Sequence, residues 1–299
     1  MTKLQTYSIL ALLSAKDRDL SSVEIHKLLF LHSQVEYSTL YDFIPYQKGC
    51  YSLTLAHDLQ VMRKKGLIDF FVDVNEERKW CLTLSGEALL FNQQQLLHTF
   101  RVFLKKFPFG EKELMRYTYL NYPYWASRSK VIDEIFSDNS SLICAIQSAW
   151  PKKRNVRLAS IGYEGRTIES YLNALVSEGI DVLVDVRCNP LSRKFGFSKK
   201  VLKSACDLVG IEYYHIKQLG IPSDRRQILK TQQDYDLLFS WYEENVLTTA
   251  QSSLDSICSI MSLGKNVALT CYEANPRQCH RSRILSVIEQ RMNVRSVLI

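Results

Sequence analysis

A stretch near the C-terminus concentrates residue types that carry chemistry. It contains two thiols, one carboxylate and three arginines, namely Cys271, Cys279, Glu273, Arg277, Arg281 and Arg283. The apolar run 267–271 predicts a strand before a polar loop, and the basic amphipathic residues after Cys279 predict a helix. Helix N-termini attract anions and lower the pKa of a nearby thiol. We therefore predict an anion-binding, reactive site. The alternative is that the cysteines are small core residues and the arginines form a solvated helix face.

Each candidate side chain has a possible role and a simpler structural alternative. Paired N–H donors that suit a phosphate or a carboxylate are predicted at Arg187, Arg193 and Arg281. His215 or His280 would transfer a proton near neutral pH, and Glu273 would act as a base or orient an arginine. The alternatives are that Asp185 and Arg187 form a buried ion pair and that His280 packs at the start of the helix.

Metal-binding residue types occur in the same stretch. Cys271, Glu273, Cys279 and His280 are of the right chemical types, but their spacing does not match a standard zinc site. The eight cysteines include no Cys-x-x-Cys pair, which argues against a zinc ribbon or a dithiol redox motif. The sequence therefore predicts no metal and names no cofactor.

Strands and helices alternate from Leu158 onwards. Apolar strands are predicted at residues 158–162, 182–186, 212–216 and 267–271, with amphipathic helices between them. This order predicts an α/β domain with a largely parallel sheet and helices on both faces. Ligands of such sheets bind at the carboxyl ends of the strands. The residues at those ends are Tyr163, Glu164, Arg166, Asp185, Arg187, His215, Lys217, Cys271 and Glu273.

Five spaced motifs mark this domain. They are Ile161-Gly-Tyr-Glu-Gly-Arg166, Asp185-Val-Arg-x-x-Pro-x-Ser-Arg193, Tyr214-His215, Leu219-Gly-Ile-Pro222 and Cys271-x-Glu-x-x-Pro-x-x-Cys-His-Arg281. Together they resemble the uncharacterised bacterial and archaeal domain family numbered 488, over residues 156–299. The resemblance implies a fold and a site more firmly than a reaction. The positions that it marks for testing are Arg187, Arg193, His215, Cys271, Glu273, Cys279, His280 and Arg281.

A more distant resemblance is to rhodanese-like domains, in which an Asp-Val-Arg strand end precedes a strand that ends in a thiolate. Cys271 and Arg277, with five residues between them, fit the cysteine-loop-arginine spacing of thiol phosphatases. Those loops bind a tetrahedral anion through backbone N–H groups and one arginine. The loop here contains no glycine, and Pro276 has no N–H to donate. Covalent thiol chemistry is therefore an alternative to simple anion binding.

The first part of the chain, residues 1–110, is predicted to be an α+β winged-helix domain. Predicted helices cover 3–15, 22–34 and 52–65, a turn-rich segment covers 41–51, and two wing strands cover 67–72 and 79–84. Ser21 and Glu24 form a capping box before the second helix. This order resembles a winged helix, whose third helix commonly lies in the major groove.

Basic residues end the predicted third helix. Arg63, Lys64 and Lys65 are predicted to contact phosphates, which position a protein on DNA without reading its sequence. Glu76 and Glu77 in the wing oppose this hypothesis because carboxylates repel a phosphate backbone. Docking of a protein partner is the alternative, since a fold does not fix a function.

Residues 111–155 are predicted to be a helical, aromatic connector that ends in a basic linker. Its closely spaced aromatic residues are Tyr117, Tyr119, Tyr122, Tyr124 and Trp125. Such residues can stack on unpaired bases, but more often they form a core between domains. The polar and basic run 151–157 predicts a solvated linker.

Composition bounds the class of protein. The 299 residues, 46% hydrophobic and 23% charged, are typical of a globular protein of two domains. No signal-type segment or long apolar run is found, which predicts a cytoplasmic protein with free thiols. The net charge of +7 is compatible with an anionic partner without requiring one.

These patterns together predict an intracellular, prokaryotic-type protein that processes or senses nucleic acid or a nucleotide. An anion-binding pocket in the α/β domain would act on phosphate or base, and the winged-helix module would recruit the substrate. The alternatives are a non-enzymatic DNA-binding regulator that senses a small anion, a thiol-dependent enzyme, and a scaffold. The expected partner is nucleic acid or a nucleotide, and no membrane is expected. The sequence leaves open a protein partner, a homo-oligomer and enzymatic activity.

Overall fold

A computed structural model of the chain shows two compact units, Met1–Trp150 and Pro151–Ile299, which are described one at a time. The structure describes residues 1–16, 18–36, 39–74, 76–137, 139–150, 152, 154, 156–226 and 229–299, without the side chain of Arg226. Pro151, Lys153 and Asn155 of the predicted linker lie outside the described residues, as does Asn75 of the predicted wing.

Helices make up most of the first unit. They are α1 (Lys3–Ala15), α2 (Ser22–Val35), α3 (Leu53–Lys64), α4 (Leu84–Leu90), α5 (Gln94–Lys105), α6 (Glu111–Asn121), α7 (Ile132–Ile135) and α8 (Ser140–Ser148). The bounds predicted for α1, α2 and α3 are confirmed to within one residue. Ser21 caps α2 and forms the predicted capping box with Glu24. Thr2 and Gln5 form a second capping box on α1.

Two small antiparallel sheets accompany these helices. The strands are β1 (Leu20–Ser21), β2 (Ile44–Tyr46), β3 (Gly49–Tyr51), β4 (Ile68–Val72) and β5 (Arg78–Leu82). The predicted pair of wing strands is confirmed as the β4–β5 hairpin, and β1 adds a third strand against β5. The turn-rich segment contains a further hairpin, β2–β3, which the sequence did not predict.

The core of the first unit is built on α1 and α2. Residues 9–13 of α1 and 28–31 of α2 are buried. The aromatic residues of the predicted connector pack inside this unit: Tyr119 is fully buried, and Tyr117, Tyr122 and Trp125 are partly buried against neighbouring side chains. These side chains therefore contribute to the core of the first unit.

Strands and helices alternate in the second unit. The elements are β6 (Leu158–Gly162), α9 (Ile168–Ser177), β7 (Val182–Asp185), α10 (Lys199–Leu208), β8 (Glu212–His215), α11 (Gln232–Tyr242), α12 (Gln251–Ser262), β9 (Val267–Cys271), α13 (Arg281–Met292) and β10 (Ser296–Leu298). The bounds predicted for β6 and β9 are confirmed, and β7 and β8 each end one residue earlier than predicted. Strand β10 was not predicted.

The strands form one parallel sheet in the order β10-β6-β9-β7-β8. Every residue of β6, β7 and β9 is buried, as expected for strands that are covered on both faces. The α/β class predicted for this part of the chain is therefore confirmed. All eight cysteines of the chain are free thiols, and no described helix combines the length and apolar character of a membrane span.

Candidate functional site

The carboxyl ends of four parallel strands are aligned. In the register of the sheet, Gly162 of β6 pairs with Cys271 of β9, and Asp185 of β7 pairs with Thr270 and with His215 of β8. The loops that leave these strands therefore begin at one edge of the sheet, where open α/β sheets bind their ligands. The predicted convergence of these strand ends is confirmed.

A buried ion pair occupies the end of β7. Arg187 Nε lies 2.8 and 3.1 Å from the carboxylate oxygens of Asp185, and Arg187 Nη2 lies 2.5 Å from Asp185 Oδ2. Arg187 Nη1 donates to the hydroxyl of Tyr163 and the carbonyl of Phe197, each at 2.9 Å. The Tyr213 hydroxyl donates to Asp185 at 2.6 Å. A guanidinium has five N–H groups, so at most one Nη2 N–H of Arg187 is left for a ligand.

The surroundings of this pair shift its pKa values. Burial acts to lower the pKa of Arg187, but the hydrogen bonds and charge of Asp185 outweigh it and raise that pKa above its ordinary range. Burial and the Asp185 charge both raise the pKa of Tyr213. Arg187 is therefore a cation and Tyr213 a neutral hydrogen-bond donor at any physiological pH.

A second buried centre lies at the end of β9 and the start of α13. We name it the thiol centre, and it consists of Cys271, Cys279, His280 and Arg281, all buried. The two sulfur atoms and a ring nitrogen of His280 lie within 4.8 Å of one another. Arg281 Nε donates to Cys279 Sγ at 3.1 Å, and Nη2 donates to the Glu273 carbonyl at 2.5 Å. Arg281 Nη1 is buried and has no acceptor in the part of the chain that the structure describes.

The Cys279 thiol of this centre does not have the predicted acidity. Burial raises the pKa of the Cys279 thiol well above its usual range, and its hydrogen bond with Cys271 raises it further. The positive charge of Arg281 acts in the opposite direction and is outweighed. The predicted lowering of the thiol pKa is wrong for Cys279, because a helix start and nearby arginines do not compensate for the loss of water around a buried thiolate.

Two glycines allow the loops to approach each other closely. A Cβ atom on Gly162 would lie 2.0 Å from the carbonyl oxygen of Glu273, and one on Gly220 would lie 2.0 Å from the backbone nitrogen of Cys188. Backbone atoms at such a distance cannot turn aside as the end of a side chain can. Any larger residue at either position would displace the loop after β9 or the loop after β7.

A cavity of about 350 Å³ opens at the ends of β6, β7 and β9. We name it the arginine cavity, and its lining residues are Tyr163, Arg187, Cys188, Asn189, Leu191, Ser192, Arg193, Ile221, Ser223, Cys271 and Tyr272. The described lining includes two arginines and no carboxylate. Arg193 is exposed and forms no ion pair with any residue that the structure describes. Tyr272 is 46% exposed, and its ring lies 5.3 Å from the ring of Tyr163.

The remaining predicted site residues lie outside this cavity. Glu273 lines a neighbouring cavity of about 600 Å³, and Ile221 contributes to both cavities. His215 Nε2 donates to the Arg187 carbonyl at 2.8 Å, and its Nδ1 accepts from Lys199 Nζ at 3.1 Å. His215 therefore positions the loop after β7, and it is not part of the lining of either cavity.

The arginines of the C-terminal stretch are separated from one another. Arg281 contacts the thiol centre, whereas Arg277 is exposed and Arg283 pairs with Glu243 at 3.3 Å. Arg166 is half-buried and, like Arg277, does not belong to the described lining of the arginine cavity. The arginine that contacts a thiol is therefore Arg281, two residues after Cys279. The pair with the spacing typical of thiol phosphatases, Cys271 and Arg277, is not brought together around the arginine cavity, because Arg277 is not among its described lining residues.

Sequence reasoning missed several residues that shape the site. Tyr213 bonds Asp185, Lys194 Nζ donates to the Tyr163 carbonyl at 3.0 Å, and Tyr272 lines the arginine cavity. Tyr213 precedes His215 by two positions, and side chains two apart in a strand point to the same face. That spacing could have identified Tyr213. No comparable pattern in the sequence marks Lys194 or Tyr272.

The basic residues of α3 in the first unit are at the surface. Arg63, Lys64 and Lys65 are exposed. Arg63 Nε lies 2.8 Å from Asp69 Oδ1, and the guanidinium lies over the ring of Phe70. In the β4–β5 hairpin, Glu77 forms an ion pair with Lys79 at 2.8 Å. Lys64 and Lys65 are therefore the more available cations, because Arg63 already has a carboxylate partner.

Part of the second unit matches a known family. Residues 167–288 match the model of the family described as "Domain of unknown function DUF488". The predicted resemblance is confirmed over these residues, which contain four of the five motifs. The matched range contains Asp185, Arg187, Arg193 and the whole thiol centre. No curated protein was similar enough to the chain to count as a match.

Proposed function

We propose that the second unit binds a phosphate group of a nucleotide or nucleic acid in the arginine cavity and thereby processes or senses that molecule. The observation that carries this proposal is the lining of the cavity, which has two arginines and no carboxylate among the described residues. Asp185 neutralises Arg187, so the charge that attracts an anion here is that of Arg193, whose guanidinium matches phosphate oxygens with paired donors.

The lining residues have complementary roles in this proposal. Arg193 is the principal phosphate ligand because it is exposed and has no ion pair among the described residues. Arg187 contributes one N–H at most, since Asp185, Tyr163 and Phe197 occupy the others. Ser192 and Ser223 add neutral donors, and the exposed ring of Tyr272 offers a face on which a base stacks.

We propose a recruiting role for the first unit, as a winged helix. The order of its first three helices, the β4–β5 hairpin and the strand β1 beside it all support this fold. Lys64 and Lys65 at the end of α3 are exposed, and helix ends of this kind place cations against phosphates. The ion pair of Glu77 with Lys79 reduces the repulsion expected from an acidic wing.

The decisive experiment measures equilibrium binding of fluorescent single-stranded and double-stranded DNA, RNA and free nucleotides across a salt series. We expect binding by the wild type and a loss of about tenfold or more in Arg193→Gln, because a charge-assisted phosphate contact is removed. Arg277→Gln is the matched control: the same change, at an exposed arginine of the same unit that does not line the cavity. Equal affinity in the wild type and in both variants would refute the proposal.

A turnover assay with the bound molecule then separates an enzyme from a sensor. Cys271 lines the arginine cavity and Glu273 lines its neighbour, so both are near a bound ligand. Conversion that is lost in Cys271→Ser or in Glu273→Gln indicates an enzyme. Ligand binding that changes DNA affinity without any conversion indicates a regulator.

A further inference from the structure

Two buried thiols and one buried imidazole converge where β9 ends and α13 begins. The sulfur atoms of Cys271 and Cys279 and a ring nitrogen of His280 lie within 4.8 Å of one another. All three residues are at most 1% exposed. From this geometry we infer a binding site for a thiophilic divalent ion, with zinc as the ion of best fit. The sequence spacing did not indicate it, because the ligands come from two elements that only the fold brings together.

The histidine has the hydrogen bond expected of a metal ligand. His280 Nε2 donates to the carbonyl of Val186 at 3.0 Å. A metal-binding imidazole commonly donates its second N–H to a carbonyl or carboxylate, which fixes the tautomer and the orientation of the ring. In this tautomer the lone pair is on Nδ1. The bond to Val186 therefore prepares Nδ1 as the ligand atom and connects the site to the end of β7.

The donor set selects the class of ion. Two thiolates and one imidazole favour zinc and similar soft or borderline ions over magnesium and calcium, which take oxygen ligands. Three protein ligands leave the fourth position of a tetrahedral ion open, as in catalytic zinc sites. Cys271 also lines the arginine cavity. Water or a ligand oxygen from that cavity therefore completes the coordination.

The neighbouring arginine supplies the matching charge. Binding of a divalent ion by two thiols and a neutral imidazole releases two protons, one from each thiol, and leaves the centre neutral. An anion at the fourth position would make it negative. Arg281 lies beside this centre: its Nε donates to Cys279 Sγ at 3.1 Å, and its buried Nη1 has no acceptor among the described residues. In the metal-bound state, the thiolates and the anion would supply the negative charge that the buried Arg281 lacks, and the anion would accept from its Nη1.

The test uses the full chain, reduced, stripped of metal with a chelator and titrated with cobalt(II) without any nucleic acid. We expect about one ion per chain, a sulfur-to-cobalt charge-transfer absorption and the visible bands of a tetrahedral ion, all removed by added zinc. Cys271→Ser, Cys279→Ser and His280→Gln should each lower the affinity by about tenfold or more. X-ray absorption of the zinc-loaded wild type should show two sulfur ligands.

Cys206→Ser is the matched control, because Cys206 is a fully buried thiol of the same unit outside the cluster. It should keep the cobalt spectrum and the affinity of the wild type. Lack of the charge-transfer absorption in the reduced wild type, or a zinc shell of nitrogen and oxygen alone, would overturn the inference. So would unchanged affinity in Cys279→Ser. The wild-type spectra decide even where a variant does not fold. Metal binding is measured without a nucleotide, so its outcome is independent of the proposed function.

Discussion

Two buried arginines lie at the same edge of the parallel sheet, but their partners differ. At the end of β7, Arg187 faces a carboxylate, a hydroxyl and a carbonyl, which together occupy four of its five N–H groups. At the start of α13, Arg281 faces a thiol and one carbonyl, and its Nη1 has no acceptor in the described residues. One cation is neutralised within the protein, and the other has no carboxylate partner among the described residues.

The difference in partners indicates which of the two arginines has a structural role and which one faces a ligand. A buried charge needs a partner, and a protein that does not provide one leaves it for a ligand or an ion. Arg187 is therefore chiefly a residue that holds the loops in place, whereas Arg281 belongs to a centre whose charge is completed from outside the chain. Removing the partner of each arginine, or the arginine itself, tests this distinction.

The largest effect is expected from Asp185→Ala. The substitution leaves the buried guanidinium of Arg187 without its carboxylate and removes the acceptor of Tyr213. We expect the free energy of unfolding to fall by about 3–5 kcal/mol, as measured by urea denaturation. Glu212→Gln, which breaks the exposed pair of β8 with Lys265, is the control and should change it little. Similar losses in both variants would show that burial of the pair does not matter.

A smaller loss is expected from Arg281→Met. The change removes a buried cation whose partners, a thiol and a carbonyl, are neutral, so no buried charge is left behind. We expect the free energy of unfolding of the metal-free chain to fall by about 1–3 kcal/mol, because two hydrogen bonds are removed. A loss as large as that of Asp185→Ala would contradict the difference between the two arginines.

The basic end of α3 extends the comparison to two exposed cations, Lys64 and Lys65, which have no carboxylate partner among the described residues. Lys64→Gln with Lys65→Gln should weaken DNA binding by about tenfold at low salt and make its salt dependence shallower, since the slope falls by about 0.9 for every phosphate that is no longer neutralised. Lys105→Gln with Lys106→Gln, an exposed pair at the end of α5 in the same unit, is the control. Identical salt slopes in both double variants would exclude α3 as the DNA-binding element.

The smallest effect concerns a carboxylate of the first unit. Burial acts to raise the pKa of Glu24, but its bonds from Arg18 and from the Ser21 backbone outweigh it, and the pKa lies below the ordinary 4.5. Such a group stabilises the fold above its unfolded-state pKa, and this stabilisation is lost as the pH falls through the folded-state value. Glu24→Gln should therefore lower the free energy of unfolding at pH 7.

The pH dependence of that difference is the measurement. Urea denaturation of wild type and Glu24→Gln should give values that converge as the pH falls below the ordinary pKa of 4.5. Arg18 is about half exposed, so solvent screens the pair and keeps the effect modest. A difference that is constant down to about pH 3 would show that the charge of Glu24 does not contribute.

The fold was more predictable from the sequence than the site. Periodicity and caps located α1, β6 and β9 to the residue, because those signals are local. Strand β10 is three residues long and largely exposed, so it carries too short a pattern to detect. The strands β2 and β3 are mostly buried but are also three residues long, so they too carry a short pattern.

The site depends on features that local patterns do not encode. The sequence correctly placed Cys271 at the end of a strand and Arg281 in the helix that follows. The predicted direction of the Cys279 pKa shift was wrong. Burial sets this pKa, and burial arises only from the packing of the folded chain. Arg277 is exposed and is not among the described lining residues of the arginine cavity, which its spacing from Cys271 did not indicate.

The hydrogen bonds of Arg187 have a consequence for motion. One guanidinium joins the loop after β6 through Tyr163, the loop after β7 through Phe197, and strand β8 through Asp185 and Tyr213. None of these segments can open alone without breaking a bond to a shared, buried group. Their backbone amides should therefore exchange with deuterium at similar, slow rates, as a single cooperative unit of local unfolding.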